Sequence, residues 1–426
     1  MIKQYFHQAI YQLMENKLIS MVSIIGTAFA ICMIMVMVIV LQVRTTDCVP
    51  EVNRSRSLYV KWMSVRMKTA TNDYSSNGGM SITTAKECFK ALTTPEAVAV
   101  ISNTEMVRAS VQGSKKMSAD KLETDEAFWQ VFAFDFISGK PYTQADCASG
   151  LSKAVISASV ARKLFGTTDV VGQTMQLNQA DYTIVGVVKD VSKLANTAYA
   201  QVWIPYTSTG TTDLVWFDNV MGTMHTIILA RSADDFPAIR AEVEKLRQKY
   251  NEGMKETEVF YRDQPDTQFV SLYRTWGDSP NPTDQVIRYI AVITILLLVP
   301  AINLSSMTLS RMRKRMAEIG VRKAFGATGN ELLRQIFMEN LLLTLFAGVI
   351  GLALSYGATF LLNDFLFSNT TNAMQMGETS LTAGMLFSPL IFVAAFLFCL
   401  LMNLLSAGIP AWRASRMNIT DALNQR

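Results

Sequence analysis

Four stretches of this chain carry no charged side chain over a length that a membrane core would demand. The first, Leu18 to Val43, is closed by Lys17 and Arg44, and its 26 residues would reach about 39 Å as a helix at ~1.5 Å per residue. That exceeds the ~30 Å hydrocarbon core, so the segment can span with tilt. Tyr289 to Ser310 and Asn340 to Asn363 follow, and the uncharged stretch from Thr379 to Trp412 holds a fourth. A cleaved leader would have a shorter apolar core and a small-residue cleavage site, so the first stretch is read as a retained span. These segments explain a hydrophobic content of 50% and a mean hydropathy of +0.21 in a chain of 426 residues that is otherwise ordinarily polar.

Charge sets the orientation. The loop 311–339 carries seven basic and three acidic residues, residues 1–17 carry two and one, and residues 413–426 carry three and one. Residues 44–288 hold 27 basic against 28 acidic groups, and the loop after the third span has only Asp364 and Glu378. All the positive excess therefore lies on one side, which places both termini in the cytoplasm and residues 44–288 outside. The expected fold is a membrane protein of four transmembrane α-helices, with a large α+β extracytoplasmic domain between the first and second. Its segments are an interfacial helix (1–17), a span (18–43), the outer domain (44–288), a span (289–310), a cytoplasmic coupling loop (311–339), a span (340–363), a short outer loop (364–384), a span (385–408) and a tail (409–426).

Within the outer domain, β-branched residues predict strands at Val98 to Val111, Ala154 to Ile156, Tyr182 to Val188, Val202 to Ile204 and Thr226 to Ala230. Helical spacing predicts helices at Thr84 to Leu92 and Ala233 to Tyr250, and Asn72 to Gly79 and Thr207 to Thr212 read as loops. Cys48, Cys88 and Cys147 lie outside, where at most one disulfide could form among three, and free buried thiols satisfy the sequence equally.

In the third span Ala347, Gly351, Ser355 and Thr359 recur every four residues, a continuous ridge of small side chains that expects a tight interface within the bundle or across a dimer. Gly26 and Ala30 make a shorter step of the same kind in the first span. In the basic loop, Met312, Met316, Ile319 and Phe325 recur at roughly helical spacing, Gly326 offers a left-handed cap, and Thr328 with Glu331 has the spacing of a capping box.

No phosphate-cradling glycine loop, zinc-protease motif or nucleophile elbow occurs, and the two histidines have no metal-ligand neighbours. The chain is expected not to be an enzyme, to hold no metal, and to bind no nucleic acid.

The run Glu318-Ile319-Gly320-Val321-Arg322-Lys323-Ala324-Phe325-Gly326-Ala327, between two spans, resembles the signature of FtsX-like permease domains of ABC transporters. Lys314 departs from it, because many relatives carry an acid just before the arginine at Arg315. Phe128-Trp129-Gln130-Val131-Phe132, Gly139-Lys140-Pro141, Ala154-Val155-Ile156-Ser157, Ala161-Arg162-Lys163-Leu164-Phe165-Gly166 and Tyr182-Thr183-Ile184-Val185-Gly186-Val187-Val188 follow one another as in MacB-like periplasmic core domains. The resemblance implies a permease subunit of the bacterial inner membrane, with its large domain periplasmic, coupled to a separate ATPase dimer that binds ATP and magnesium. It implies no cofactor in this chain itself. Arg315, Glu318, Gly320, Arg322, Lys323 and Gly326 would dock on that ATPase. Export by mechanotransmission of an antimicrobial, peptide or lipid-like cargo is the implied function, with a second permease copy, membrane lipid, a periplasmic adaptor and an outer-membrane channel as partners. A lipoprotein-releasing permease of the LolC/LolE kind, or an FtsX-like regulator of a cell-wall hydrolase, are the alternatives.

Overall fold

The structure, a computed structural model, describes residues 11, 17–68, 75–113, 115–275, 278–296, 298, 321, 325, 328–367, 392–394, 396–397 and 400–401. The chain divides into two compact units, one built on Val43–Asp284 and the other holding Met1–Gln42 and Gln285–Leu366.

In the helical unit, two helices among the described residues are long and apolar enough to cross a membrane, Ser20–Thr45 and Leu341–Leu361. The first belongs to a continuous helix, Lys17–Thr45. The second is the C-terminal part of a 33-residue helix, Gly329–Leu361, whose first turns, up to Glu339, fall in the loop 311–339. Thr328 starts it with a reciprocal cap, its N–H donating to Glu331 Oε2 at 2.9 Å and its Oγ1 accepting from the Glu331 N–H at 3.4 Å. The expected second and fourth spans are described only in part: residues 282–296 are helical, as are 392–394, 396–397 and 400–401.

The outer unit begins with β1 (Ser57–Val60), β2 (Met63–Met67), β3 (Ser76–Met80), β4 (Ala97–Ile101), β5 (Glu105–Ser110) and β6 (Lys116–Thr124). It continues with β7 (Phe136–Gly139), β8 (Lys153–Ser157), β9 (Thr174–Leu177), β10 (Ala180–Val188) and β11 (Val202–Pro205). The last strands are β12 (Met221–Gly222), β13 (His225–Leu229), β14 (Thr257–Phe260) and β15 (Asp266–Thr267). Six of them close on themselves: β11 pairs with β8 and also, in parallel, with β6, so β5, β6, β11, β8, β10 and β9 form a ring. Ala109, Ala119, Ile156, Ile184 and Val202 belong to one apolar core, together with Val160 and Leu164 of the helix Ala158–Phe165. Ser157 caps that helix, and Gly166, at φ +82°, ends it in the left-handed conformation that glycine adopts without a Cβ penalty. Gly139, at φ +70°, is confined by space as well, since a Cβ there would run into the Val185 carbonyl oxygen.

Beyond the ring the sheet runs on through β4, β13, β1 and β15, all antiparallel. Its alternation buries both faces. Leu58, Val98 and Ile228 stand in one row and join the core under a second sheet, β12-β3-β2-β14, and the helix Phe236–Gly253. Tyr59, Ala99 and Ile227 stand in the next row and join a separate core with Phe128, Val131 and Trp203. Truncating one of these large buried side chains to alanine costs about 2–5 kcal/mol.

Several expectations are corrected by the structure. Residues 76–79, expected in a loop, belong to β3, whose glycines admit close neighbours: a Cβ on Gly79 would meet the Gly222 carbonyl oxygen at 2.8 Å. The run Val98 to Val111 is two strands, broken at residues 102–104. The helix at Thr84 to Leu92 is a short α-turn, Ile82–Ala85, followed by a π-turn, Lys86–Lys90. Cys48, Cys88 and Cys147 are free, buried thiols, and burial pushes them up to about 11, 11 and 12.

Candidate functional site

Of the residues expected to dock on an ATPase, Arg315, Glu318, Gly320, Arg322, Lys323 and Gly326 all lie outside the described residues. Their neighbours Val321 and Phe325 are exposed, Phe325 at 89%. The small ridge is described. Ala347, Ser355 and Thr359 are fully buried in the helical unit, and Gly351 faces Ala28 and Ile31 of the helix Lys17–Thr45. Ser355 Oγ donates to the Leu352 carbonyl at 2.7 Å and Thr359 Oγ1 to the Ser355 carbonyl at 2.8 Å. These two hydroxyls are thus satisfied within the helix, as an apolar surrounding requires. On a neighbouring flank, Gly348 faces the Phe396 ring.

A second constellation sits in the outer unit, where the helix Lys17–Thr45 ends. The last four carbonyls of a helix have no intrahelical partner. Arg54, 2% exposed, supplies one: its Nη1 donates to the Val43 carbonyl at 3.1 Å and the Thr46 carbonyl at 2.8 Å. Its Nη2 donates to the Leu194 carbonyl at 2.5 Å, and its Nε to Glu51 Oε2 at 2.6 Å. The other Glu51 oxygen accepts from the N–H groups of Thr197 at 2.7 Å and Ala198 at 2.8 Å. Gln268 Nε2 donates to the Arg44 carbonyl at 2.9 Å. One buried ion pair therefore knots the helix end, the short turn Arg54–Arg56 and the loop 194–198 together. Burial works against the charge on Arg54, but Glu51 outweighs it and holds the guanidinium above its ordinary value. A buried charge is stable only when its donors are spent in this way.

The chain returning toward residue 282 has its own knot. Arg274 pairs with Asp266 through Nε and Nη2, both residues buried, and Arg274 also donates to the carbonyls of Asp278 and Arg262. Burial pushes the Asp266 carboxyl up against the pull of Arg274. Beside it Lys61, whose ammonium burial pushes down, donates to the Ser271 carbonyl at 3.0 Å. His225 fills the same end of the sheet, with Nδ1 at 2.5 Å from the Lys61 carbonyl and Nε2 at 2.7 Å from Asn103 Oδ1. Burial pushes its imidazole down to about 4.

Sequence reasoning missed Glu51, Arg54, Asp266 and Arg274. Charged residues just past a span read as solvated, and the pairings across 140 residues and more leave no local pattern. The signal that could have found them was the crowding of Asp47, Glu51 and Arg54 behind an apolar helix that needed a C-terminal cap.

The fold thus combines an α+β unit with two helices that, among the described residues, are long and apolar enough to cross a membrane. Family comparison narrows this. The family model for the MacB-like periplasmic core domain matches residues 20–246, and the model for the FtsX-like permease C-terminal domain matches residues 290–419. The chain belongs to this MacB/FtsX-like family of ABC transporter permeases. It is 27% identical over 335 residues to the uncharacterized ABC transporter permease YknZ of Bacillus subtilis (strain 168), covering 76% of each chain. It is 26% identical over 315 residues to the macrolide export ATP-binding/permease protein MacB 1 of Yersinia pestis bv. Antiqua, covering 73% of this chain and 44% of that one. With the MacB of Hahella chejuensis the identity is 27% over 70% of this chain and 42% of the relative. The chain thus spans less than half the length of these MacB relatives. The solved extracellular domain of YknZ aligns with 47% of this chain at 16% identity and a TM-score of 0.34.

Proposed function

We propose that this chain is the transmembrane subunit of a MacB-type ABC transporter that couples ATP hydrolysis by a separate ATPase to movement of its outer domain. The carrying observation is the tandem order of the two matched families, a periplasmic core domain and then an FtsX-like permease domain. Four spans with both termini cytoplasmic, and an inner-membrane location with the large domain outside, are part of this reading. The relatives named as ATP-binding/permease proteins for macrolide export support an ATPase partner and an export role. The chain itself would be no enzyme and would hold no cofactor, with ATP and magnesium bound by the partner. A second permease copy, an adaptor and an outer-membrane channel complete the proposed assembly.

The mechanism asks for an element that carries motion without absorbing it. The Arg54–Glu51 knot supports that role, because it fixes the last turn of an apolar helix to the loop 194–198 through buried, charge-assisted hydrogen bonds. The reading is tested by purifying the chain with its tag from native membranes and identifying what comes with it. An ABC ATPase that hydrolyses ATP faster in the complex than alone is expected. Recovery of the chain without any ATPase, under conditions that keep its fold, would overturn the proposal.

A further inference from the structure

One surface of the outer unit has a chemistry that transport does not use. A groove of about 450 Å³ lies between the helix Phe236–Gly253 and β14, floored by Phe260 and walled by Arg66, Arg240, Arg247 and Arg262. The arginines are not equivalent. Arg66 is paired with Glu258 at 2.5 Å, and Arg247 with Glu244 at 2.5 Å. Arg240 and Arg262 pair with no carboxylate among the described residues. Neutral acceptors aim them instead: Arg240 Nε donates to the Pro265 carbonyl at 3.1 Å, and Arg262 donates to Ser64 Oγ at 2.6 Å and Ser75 Oγ at 2.8 Å. That leaves both terminal nitrogens of Arg240 and one of Arg262 with donor capacity.

Two further features mark the place. The guanidinium carbons of Arg66 and Arg262 lie 5.5 and 5.3 Å from the Phe260 ring centre, cation–π distances that stiffen the floor. Arg262 and Asp263 are held at φ +47° and +64°, a left-handed conformation that costs a non-glycine residue on the order of 1–3 kcal/mol and clusters at ligand clamps. The interleaved acids Glu244, Glu258 and Asp263 disfavour a dense polyanion such as a charged lipid surface. They tolerate separate carboxylates spaced along a chain, which a planar guanidinium grips bidentately.

We propose that this groove binds an acidic peptide segment of a protein partner, its carboxylates held by Arg240 and Arg262. The proposal is independent of the transport reading, since it needs neither an ATPase nor movement.

The full chain in detergent, titrated into a fluorescein-labelled peptide of alternating glutamate and serine, tests it by anisotropy. Wild type should bind, and the same peptide with glutamine for glutamate should not. Arg240→Glu, at an exposed position that leaves the core untouched, should weaken binding about tenfold or more, the worth of one lost charge-assisted contact. Arg262→Gln should do the same, and Arg240→Lys, which keeps the charge but loses the fork, should fall between. Equal binding by wild type and Arg240→Glu, or by the neutral peptide, would overturn the assignment. So would displacement of the peptide by short-chain phosphatidylglycerol through these arginines, which would make the site a lipid headgroup site.

Discussion

Gly351 and Ala28 are in direct backbone contact: a Cβ on Gly351 would stand 2.7 Å from the Ala28 carbonyl oxygen and 2.9 Å from the Ile31 Cβ. Between apolar helices no hydrophobic drive holds the pair together, so close approach is itself the source of attraction. Ala347, Ser355 and Thr359 of the same ridge are buried, and the atoms nearest Gly351 belong to Ala28 and Ile31.

Gly351→Leu should therefore force these two helices apart and lower the thermal midpoint of the detergent-solubilised protein, by the ~1–3 kcal/mol typical of overpacking. Gly357→Leu is the control, because a Cβ there meets nothing within 4 Å. A loss of stability equal in the two variants would show that position 351 is not special.

Arg54→Met should cost about 3–5 kcal/mol, the penalty for leaving the Glu51 carboxylate buried without its partner. The double variant Glu51→Leu with Arg54→Met discriminates further. A self-contained ion pair replaced by apolar residues is often neutral. Here the exchange would strand the carbonyls of Val43, Thr46 and Leu194 and the N–H groups of Thr197 and Ala198, so the double variant should stay destabilised. Denaturant unfolding of the outer unit, followed by tryptophan fluorescence in the full chain, measures both. Full recovery in the double variant would reduce the knot to a simple salt bridge.

How much of this was legible in advance follows from what period and composition can carry. The strands Ala154 to Ile156, Tyr182 to Val188 and Thr226 to Ala230 were readable because β-branched residues filled them, and the helix cap at Thr328 because its box is local. The strand β6, Lys116–Thr124, was not, since Asp120, Lys121 and Glu123 give it the look of a solvated turn. They are buried because partners arrive from far away: Tyr199 reaches Asp120 at 2.7 Å across 79 residues, and Thr209 reaches Glu123 at 2.9 Å across 86. The knot at Arg54 is hidden for the same reason, its meaning residing in carbonyls that only the fold delivers.

Acid should weaken the outer unit through His225. Its imidazole is pushed down to about 4 by burial, against an ordinary value near 6.5. Because the folded value is the lower one, the unfolded chain takes up a proton first as pH falls below about 6.5, and stability is lost progressively down to about pH 4. The loss should approach roughly 3 kcal/mol at the acid end, because each pH step of one between the unfolded and folded values contributes ~1.4 kcal/mol. Asp125, pushed up to about 6 by burial against the pull of Lys90, works in the opposite sense over its own range. The comparison that isolates the histidine is therefore wild type against His225→Gln, each unfolded at pH 7 and pH 5. Wild type should lose about 2 kcal/mol more than the variant between the two. Parallel losses would mean that the ring protonates without disturbing its contacts to Lys61 and Asn103.

The coupling proposal meets its sharpest test at Glu318. This residue and Arg322 stand four apart in the basic loop between two apolar segments, a spacing that puts both on one face of a helix. If the loop inserts into a cleft on an ATPase, the pair is partly desolvated there, and hydrogen bonds to charged groups are worth about 1.5–3 kcal/mol. If the loop is only solvated, the same pair is worth about 0–1 kcal/mol and reversing one charge changes little. Glu318→Lys should then separate the two cases. Docking predicts loss of ATPase co-purification, or hydrolysis that no longer drives transport, with the thermal transition of the outer unit unchanged. Charge restored across the interface, by reversing the matching basic residue on the ATPase, should recover association. Normal co-purification and normal transport in Glu318→Lys would leave the loop with a topological role alone, and the positive excess of 311–339 would then explain orientation and nothing more.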